Sequence, residues 1–225
     1  GYRLTGPISD LLAAEALLLY LLQDLVPSTG LPAGLPAGAL SGWVAGLPCH
    51  HRARCDSTNR VLREMIKGDA PPTGALVVTD HQTQGRGRLD RIWRDEGSKD
   101  LTFSVLLRPA LAPGQAHLLS LAAALAVAET LSSDSLGLPL PRSSRAPVQV
   151  KWPNDVTVQG RKLCGILLEG AMDGERRHWA IAGIGVNVNS DTVGLLEVIQ
   201  REDAGGLGTR PRPVSVQETV GGPVP

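Results

Sequence analysis

Aromatic side chains are scarce in this chain: one Phe, two Tyr and four Trp stand among 225 residues. Binding of single-stranded nucleic acid needs stacking platforms, and few are available. An excess of positive charge is also missing, since 22 Lys plus Arg face 22 Asp plus Glu. No basic field covers the chain, DNA is not an expected partner, and any anion site must be local. The three cysteines, Cys49, Cys55 and Cys164, are odd in number and too few for a disulfide framework, which points to a reducing, cytoplasmic setting. Nor is any apolar run clean enough for a bilayer. LLAAEALLLYLLQDLV, residues 11–26, carries Glu15 and Asp24 and falls short of the ~20 apolar residues of a span, so it reads as an amphipathic or buried helix with no membrane partner.

Several chemistries lack their motifs. GxxxxGK[ST] and GxSxG do not occur, and GRGRLD puts Asp90 where the third glycine of GxGxxG would stand, so neither a P-loop, a dinucleotide fold nor a nucleophile elbow is expected. The CHHRARC patch, Cys49 to Cys55, mixes metal-ligand types at a spacing that fits no common zinc arrangement and reads as an ordinary loop.

What is present is a compact set of signals between residues 49 and 200. Upstream, residues 27–48 hold Gly or Pro at nine of 22 positions, a linker behind the leader helix. In DSTNRVLREMI, Val61, Leu62, Met65 and Ile66 share one helical face, and Ser57 or Thr58 can cap the start. ALVVT (75–79) and LTFSVLLRP (101–109) read as strands flanking an arginine-rich loop. Residues 115–131 form an Ala-rich helix, and 132–147 a Ser/Pro-rich connection. VQVKWPNDVTVQGRKLCGILLE (148–169) reads as strand, tight break, strand, turn at Gln159-Gly160 and strand. That folding brings Lys151, Asn154, Asp155 and Lys162 near one another. HWAIAGIGVNVN (178–189) is a further strand, where Gly183 and Gly185 let something approach the backbone closely. Residues 201–225, with Gly or Pro at nine of 25 positions, read as a loose tail.

The chemistry concentrates on permanent cations. Arg86, Arg88, Arg91, Lys151 and Lys162 gather beside flexible glycines, the Trp93 indole and amide side chains. Guanidinium forks and exposed backbone N–H groups suit phosphate oxygens. Bringing a carboxylate to a nucleotide α-phosphate opposes like charges at ~4 Å, worth roughly 4 kcal/mol at an effective dielectric of 20. Fixed cations remove that barrier, and the step needs alignment rather than a catalytic triad.

STN at Ser57–Asn59, GRGRLDRIW at Gly85–Trp93, LLRP at 106–109, KWPND at Lys151–Asp155, GRKLCGIL at Gly160–Leu167 and GIGVNVN at Gly183–Asn189 together resemble the biotin protein ligases, in the family's order. The resemblance implies an α+β fold, a mixed β-sheet flanked by helices and related to class II aminoacyl-tRNA synthetases. It implies a ligase that joins biotin to ATP as biotinyl-5'-AMP with Mg2+, then transfers biotin to a lysine of a biotin carboxyl carrier protein. Carried over by position, Ser57, Thr58, Asn59 and Gln82 would hold biotin, with Gly85 and Gly165 offering backbone. Arg86, Arg88 and Lys162 would act at the reacting carboxylate and phosphate. Arg91, Trp93, Lys151, Asn154, Asp155, Gly183, Gly185 and Asn187 would hold the nucleotide, with Asp155 also meeting the metal. A homodimer is left open.

The sequence departs from the family in three places. Asp90 takes a usual glycine position, where a left-handed backbone is tolerated by Asp. The tail offers no counterpart of the family's small C-terminal barrel, and the leader no DNA-binding helix-turn-helix. Rival readings are a catalytically weak biotin or nucleotide binder, a lipoate ligase on the same scaffold, and an RG-type nucleic-acid module.

Overall fold

The computed structural model describes residues 48–68, 71–108, 116–132, 148–173, 176–203 and 211–223. The expected leader helix at 11–26, almost all of the linker and nearly all of the 132–147 connection lie outside them. Seven strands build one sheet: β1 (Cys49–Arg52), β2 (Leu76–Thr79), β3 (Leu101–Leu107), β4 (Val148–Lys151), β5 (Asp155–Val158), β6 (Arg161–Asp173) and β7 (Arg176–Val186). Their spatial order is β1-β2-β3-β7-β6-β5-β4. Only β1 and β2 run parallel; every other neighbouring pair is antiparallel. This is the α+β class expected, with a mixed sheet. The CHHR stretch read as a loop is instead the edge strand β1, held by backbone pairing to β2 rather than by apolar alternation of its own.

Two helices cover opposite faces. The strand period of two sends alternate residues of β3 to different sides. Phe103, Val105 and Leu107 pack with Leu119, Ala123, Ala124 and Val127 of α2 (Ala116–Ser132), whose alanines permit the close approach. Leu106, together with Val77 and Ile181, packs with Leu62 of α1 (Thr58–Gly68), against which Val61, Met65 and Ile66 also lie. The expected helical face is therefore the buried one. On this second side β3 next carries Ser104 and Thr102, whose partners in β7 are Gly183 and Gly185, so small residues leave room beyond the end of α1. Val156, Thr157 and Val158 of β5 are all buried. That strand is covered on both sides, although Val156 and Val158 alternate with a polar Thr157.

The turn at Gln159-Gly160 has φ of 53° and 72°, the paired left-handed conformation that joins two antiparallel strands without splaying them. The break before β5 holds a cis Trp152-Pro153 bond.

Residues 211–223 do not form a loose tail. Lys162 N–H donates to Arg212 O at 2.7 Å, Val214 N–H to Lys162 O at 2.8 Å, and the Arg161 guanidinium to Pro213 O at 2.8 Å. Val214 and Val216 are buried, and α4 (Val216–Val220) is capped by Ser215 and ended by Gly221 at φ 79°. Two valines and a few backbone bonds suffice to seat a segment whose average composition looks unstructured. Before it runs α3 (Thr192–Asp203), an element the sequence reading did not assign. Among the described residues no helix is long and apolar enough to cross a membrane.

Candidate functional site

The glycine-lined face of the sheet is the floor of a cavity of about 450 Å³. Of its lining side chains six are cations, Arg86, Arg88, Arg91, Arg94, Lys151 and Lys162, and one is an acid, Asp155. Arg86 and Lys162 have acidic partners among the described residues. Arg86 stands 3.6 Å from Glu169, and Lys162 Nζ lies 2.7 Å from Asp155 Oδ1 in a contact whose alignment is that of an ion pair rather than a hydrogen bond. Arg88, Arg91 and Lys151 meet no carboxylate among the described residues.

The loop that carries these arginines is tied off at its base. Gly87 N–H donates to Arg91 O at 2.7 Å, and Trp93 N–H to Gly85 O at 3.0 Å. Leu89 and Asp90 take φ of 54° and 57° at the tip, so Asp90 does adopt the left-handed backbone. Its carboxylate is exposed and does not line the cavity. Arg88 Nη1 reaches across to Asn154 Oδ1 at 3.3 Å, while Asn154 Nδ2 donates to Ile166 O at 2.8 Å. The arginine loop and the KWPND turn thereby meet over one opening.

At one end of the cavity the start of α1 supplies an ordered polar network. Gln82 Oε1 accepts from the Thr58 N–H at 2.8 Å and from the Thr58 hydroxyl at 3.2 Å. With the oxygen so used, the Nε2 donors are the uncommitted end of this cavity-lining amide. The Ser104 hydroxyl lies 2.6 Å from both Thr58 Oγ1 and Asn59 Oδ1, and Asn59 Nδ2 donates to Glu169 at 2.8 Å. Asn59 lines the cavity with its amide already engaged, so the structure gives it an anchoring position. Thr58 spends its hydroxyl on Gln82, and Asp56 accepts the Ser57 N–H at 2.6 Å.

At the other end lies the Trp93 indole. A Cβ added to Gly185 would stand 2.8 Å from Trp93 Nε1, and one added to Gly165 would stand 3.0 Å from Cζ3. The ring thus spans the register pair Gly165 and Gly185, with the Lys162 ammonium 5.8 Å from its centroid. A Cβ on Gly183 would lie 3.0 Å from Asn59 Cγ. What comes close to these glycines is therefore the protein's own Trp93 and Asn59. Beside the ring, Asn187 is 2% exposed and its Nδ2 donates to Val214 O at 3.1 Å and Lys162 O at 3.3 Å. Those two bonds fix the amide, and Oδ1 is left a buried acceptor without a partner.

Every residue expected at the site lines this cavity except Gly85. Gly85 is buried behind it, where a side chain would overlap the Trp93 carbonyl, so its role here is close packing of the loop. The sequence reading missed Thr102, Leu195, Ile199 and Pro213, which also line the space. It missed as well Asp95, whose side chain is 1% exposed and which accepts Gln82 N–H at 2.9 Å and Gly97 N–H at 3.1 Å beside His81 Nδ1 at 2.6 Å. No local pattern marks any of these, since each acts through a contact made by folding. Cys164, fully buried on β6, has its thiol pushed up to about 12 by burial, consistent with a filler rather than a nucleophile.

The site is thus a cation-rimmed cavity laid over paired glycines of a mixed sheet. The Biotin/lipoate A/B protein ligase family model matches residues 52–187, and the chain belongs to that family. It is 35% identical over 136 residues to the bifunctional ligase/repressor BirA of Bacillus spizizenii, covering 60% of this chain and 39% of the relative. It is 37% identical over 137 residues to the biotin–[acetyl-CoA-carboxylase] ligase of Mycobacterium tuberculosis, covering 60% and 47%. A biotin protein ligase from Aquifex aeolicus in complex with biotin and ATP superposes with a TM-score of 0.51 at 30% identity, over 79% of this chain and 63% of that one. The chain thus spans less than half the length of the two curated relatives.

Proposed function

We propose that this chain is the catalytic part of an ATP-dependent biotin protein ligase. The observation that carries the reading is the imbalance of six lining cations to one carboxylate, three of those cations having no acidic partner among the described residues. Positive groups gathered around one cavity without counter-charge suit a polyanion. The Mycobacterium tuberculosis relative's name supplies biotin, and the Aquifex aeolicus structure, in complex with biotin and ATP, supplies both reactants.

In this reading Ser57, Thr58 and the free Nε2 of Gln82 bind the ureido ring, which carries both donors and an acceptor. Arg86, Arg88 and Lys162 hold the biotin carboxylate against the α-phosphate of ATP. A carboxylate oxygen forms the new bond to phosphorus, the bond to the bridging oxygen breaks, and pyrophosphate leaves as an anion. The lysine amine of a biotin carboxyl carrier protein then attacks the acyl carbon of biotinyl-5'-AMP, AMP leaves with the bonding pair, and the amine proton passes to solvent. Arg91, Lys151 and Asn154 attend the phosphates. Trp93 and Asn187 attend the base: the fixed Asn187 Oδ1 can only accept, which favours the amino group of adenine over the keto oxygen of guanine. Mg2+ would enter on the nucleotide's own phosphates with Asp155 as its protein carboxylate, adding neutralisation there. Among the described residues no cluster of three His, Cys, Asp or Glu could hold an ion by itself, so the donor set fits a nucleotide-borne metal only. A reducing cytoplasmic location accords with the cysteine pattern.

Incubation with biotin and Mg-ATP, followed by mass spectrometry for biotinyl-5'-AMP and label transfer to a carrier domain, tests the reading. Binding without adenylate would leave a mere binder, and preferential adenylation of lipoate would make the substrate the other acid of the family.

A further inference from the structure

Two hydroxyls stand on the cavity side of β3, and their situations differ. Ser104 is committed to Thr58 and Asn59 at the Gln82 end. Thr102, two residues earlier, is 4% exposed, lines the cavity, and its Oγ1 is shut off from solvent with no hydrogen-bond partner. It lies opposite Gly185 in the β3–β7 register, and paired residues of an antiparallel sheet project to the same face. Thr102 therefore sits beside the indole that rests on Gly185. The indole Nε1 is likewise buried and unpartnered. Two orphaned polar atoms on residues lining one cavity are unusual in a folded interior, and the sheet would be served as well by valine at this position. An explanation is a partner that arrives with a ligand.

We propose that the Thr102 hydroxyl is a nucleoside-contacting group, met when a bound nucleotide lifts the Trp93 indole from Gly185. The site is assigned to the nucleoside rather than to biotin by position. Thr102 belongs to the end of the cavity marked by Trp93, Gly185 and Asn187, whereas the biotin end is organised by Ser104, Thr58 and Gln82. This rests on the ligase reading given above.

The test compares Thr102→Val, which keeps the shape and removes the hydroxyl, with Thr102→Ser, which keeps the hydroxyl. In adenylate formation Thr102→Val is expected to raise KM for ATP roughly 3- to 10-fold and to leave KM for biotin within about twofold, with Thr102→Ser near wild type. Without ligand the melting temperature of Thr102→Val should be unchanged or higher, because an unsatisfied buried hydroxyl has been removed, while the ATP-induced rise in melting temperature shrinks. An unchanged KM for ATP, an equal loss for biotin, or a lowered melting temperature of the free variant would each overturn the assignment. If the wild-type chain forms no adenylate, the ligase reading fails by itself; calorimetric titration of ATP into wild type and Thr102→Val then decides the hydroxyl's role separately.

Discussion

The Asp95 carboxylate accepts the backbone N–H of Gln82 at 2.9 Å, clasping the start of the arginine loop from the residues just past its end. The same carboxylate takes Gly97 N–H at 3.1 Å and lies 2.6 Å from His81 Nδ1. Gln82 in turn receives the Thr58 N–H. One buried acid thus fixes where the loop begins and how a cavity-lining amide is presented. Asp95→Asn keeps one acceptor but turns an N–H group toward a donor. The expected cost is about 1–3 kcal/mol of stability, with weaker biotin binding, read by thermal melting and biotin titration. Unchanged melting and binding would remove the clasp from the account.

Gly185→Ala should displace the indole. An added Cβ would overlap Trp93 ring atoms and lie 2.8 Å from Nε1, a steric conflict worth about 1–3 kcal/mol. The clean check is a double-mutant cycle: in a Trp93→Ala background the same substitution should cost almost nothing. Equal costs in both backgrounds would mean that the tryptophan is not what fills the glycine's space.

Arg88→Ala should fold normally, because its one recorded side-chain bond, to Asn154 at 3.3 Å, is exposed, and exposed polar pairs contribute little. The loss should fall on retention of the reaction intermediate. Release of free biotinyl-5'-AMP is expected to increase, measured by its appearance in filtrate after single turnover. Release at the wild-type rate would place the guanidinium elsewhere in the reaction.

Acidification should act through Asp100. Its carboxylate is 4% exposed, accepts from Val188 N–H at 3.0 Å and from the Ser190 hydroxyl, and burial raises its pKa above the ordinary carboxylate value. A folded-state pKa above the unfolded one means that the folded chain holds the extra proton between the two. The burial penalty is present in full above the folded pKa and is relieved as pH falls through it. The stability difference between wild type and Asp100→Asn should therefore move in favour of wild type on going from neutral to mildly acidic pH, measured by urea midpoints. A difference that is flat with pH would contradict a raised value.

Much of this was legible before folding was considered. The helical face of Val61, Leu62, Met65 and Ile66, the strands around 76–79 and 101–107, and the Gln159-Gly160 turn follow from local periodicity and turn chemistry. The edge strand β1 was not legible. CHHR has no strand pattern, and only its parallel pairing to β2 makes it one. The segment 211–223 was missed for a related reason, since Val214 and Val216 are two apolar side chains in a Gly- and Pro-rich stretch and become significant only beside Lys162 and Asn187.

The residue types, their order and their charge by themselves singled out Arg86, Arg88, Arg91, Lys151 and Lys162, which line one cavity, because permanent charge and glycine freedom are properties of the residues. Which of those charges find partners was decided by the tertiary structure, as were the glycines covered by Trp93 and Asn59 and orphaned atoms such as Trp93 Nε1, Asn187 Oδ1 and Thr102 Oγ1. Such facts depend on register across β3, β7 and β6, and register is set by long-range pairing that no short stretch of sequence contains.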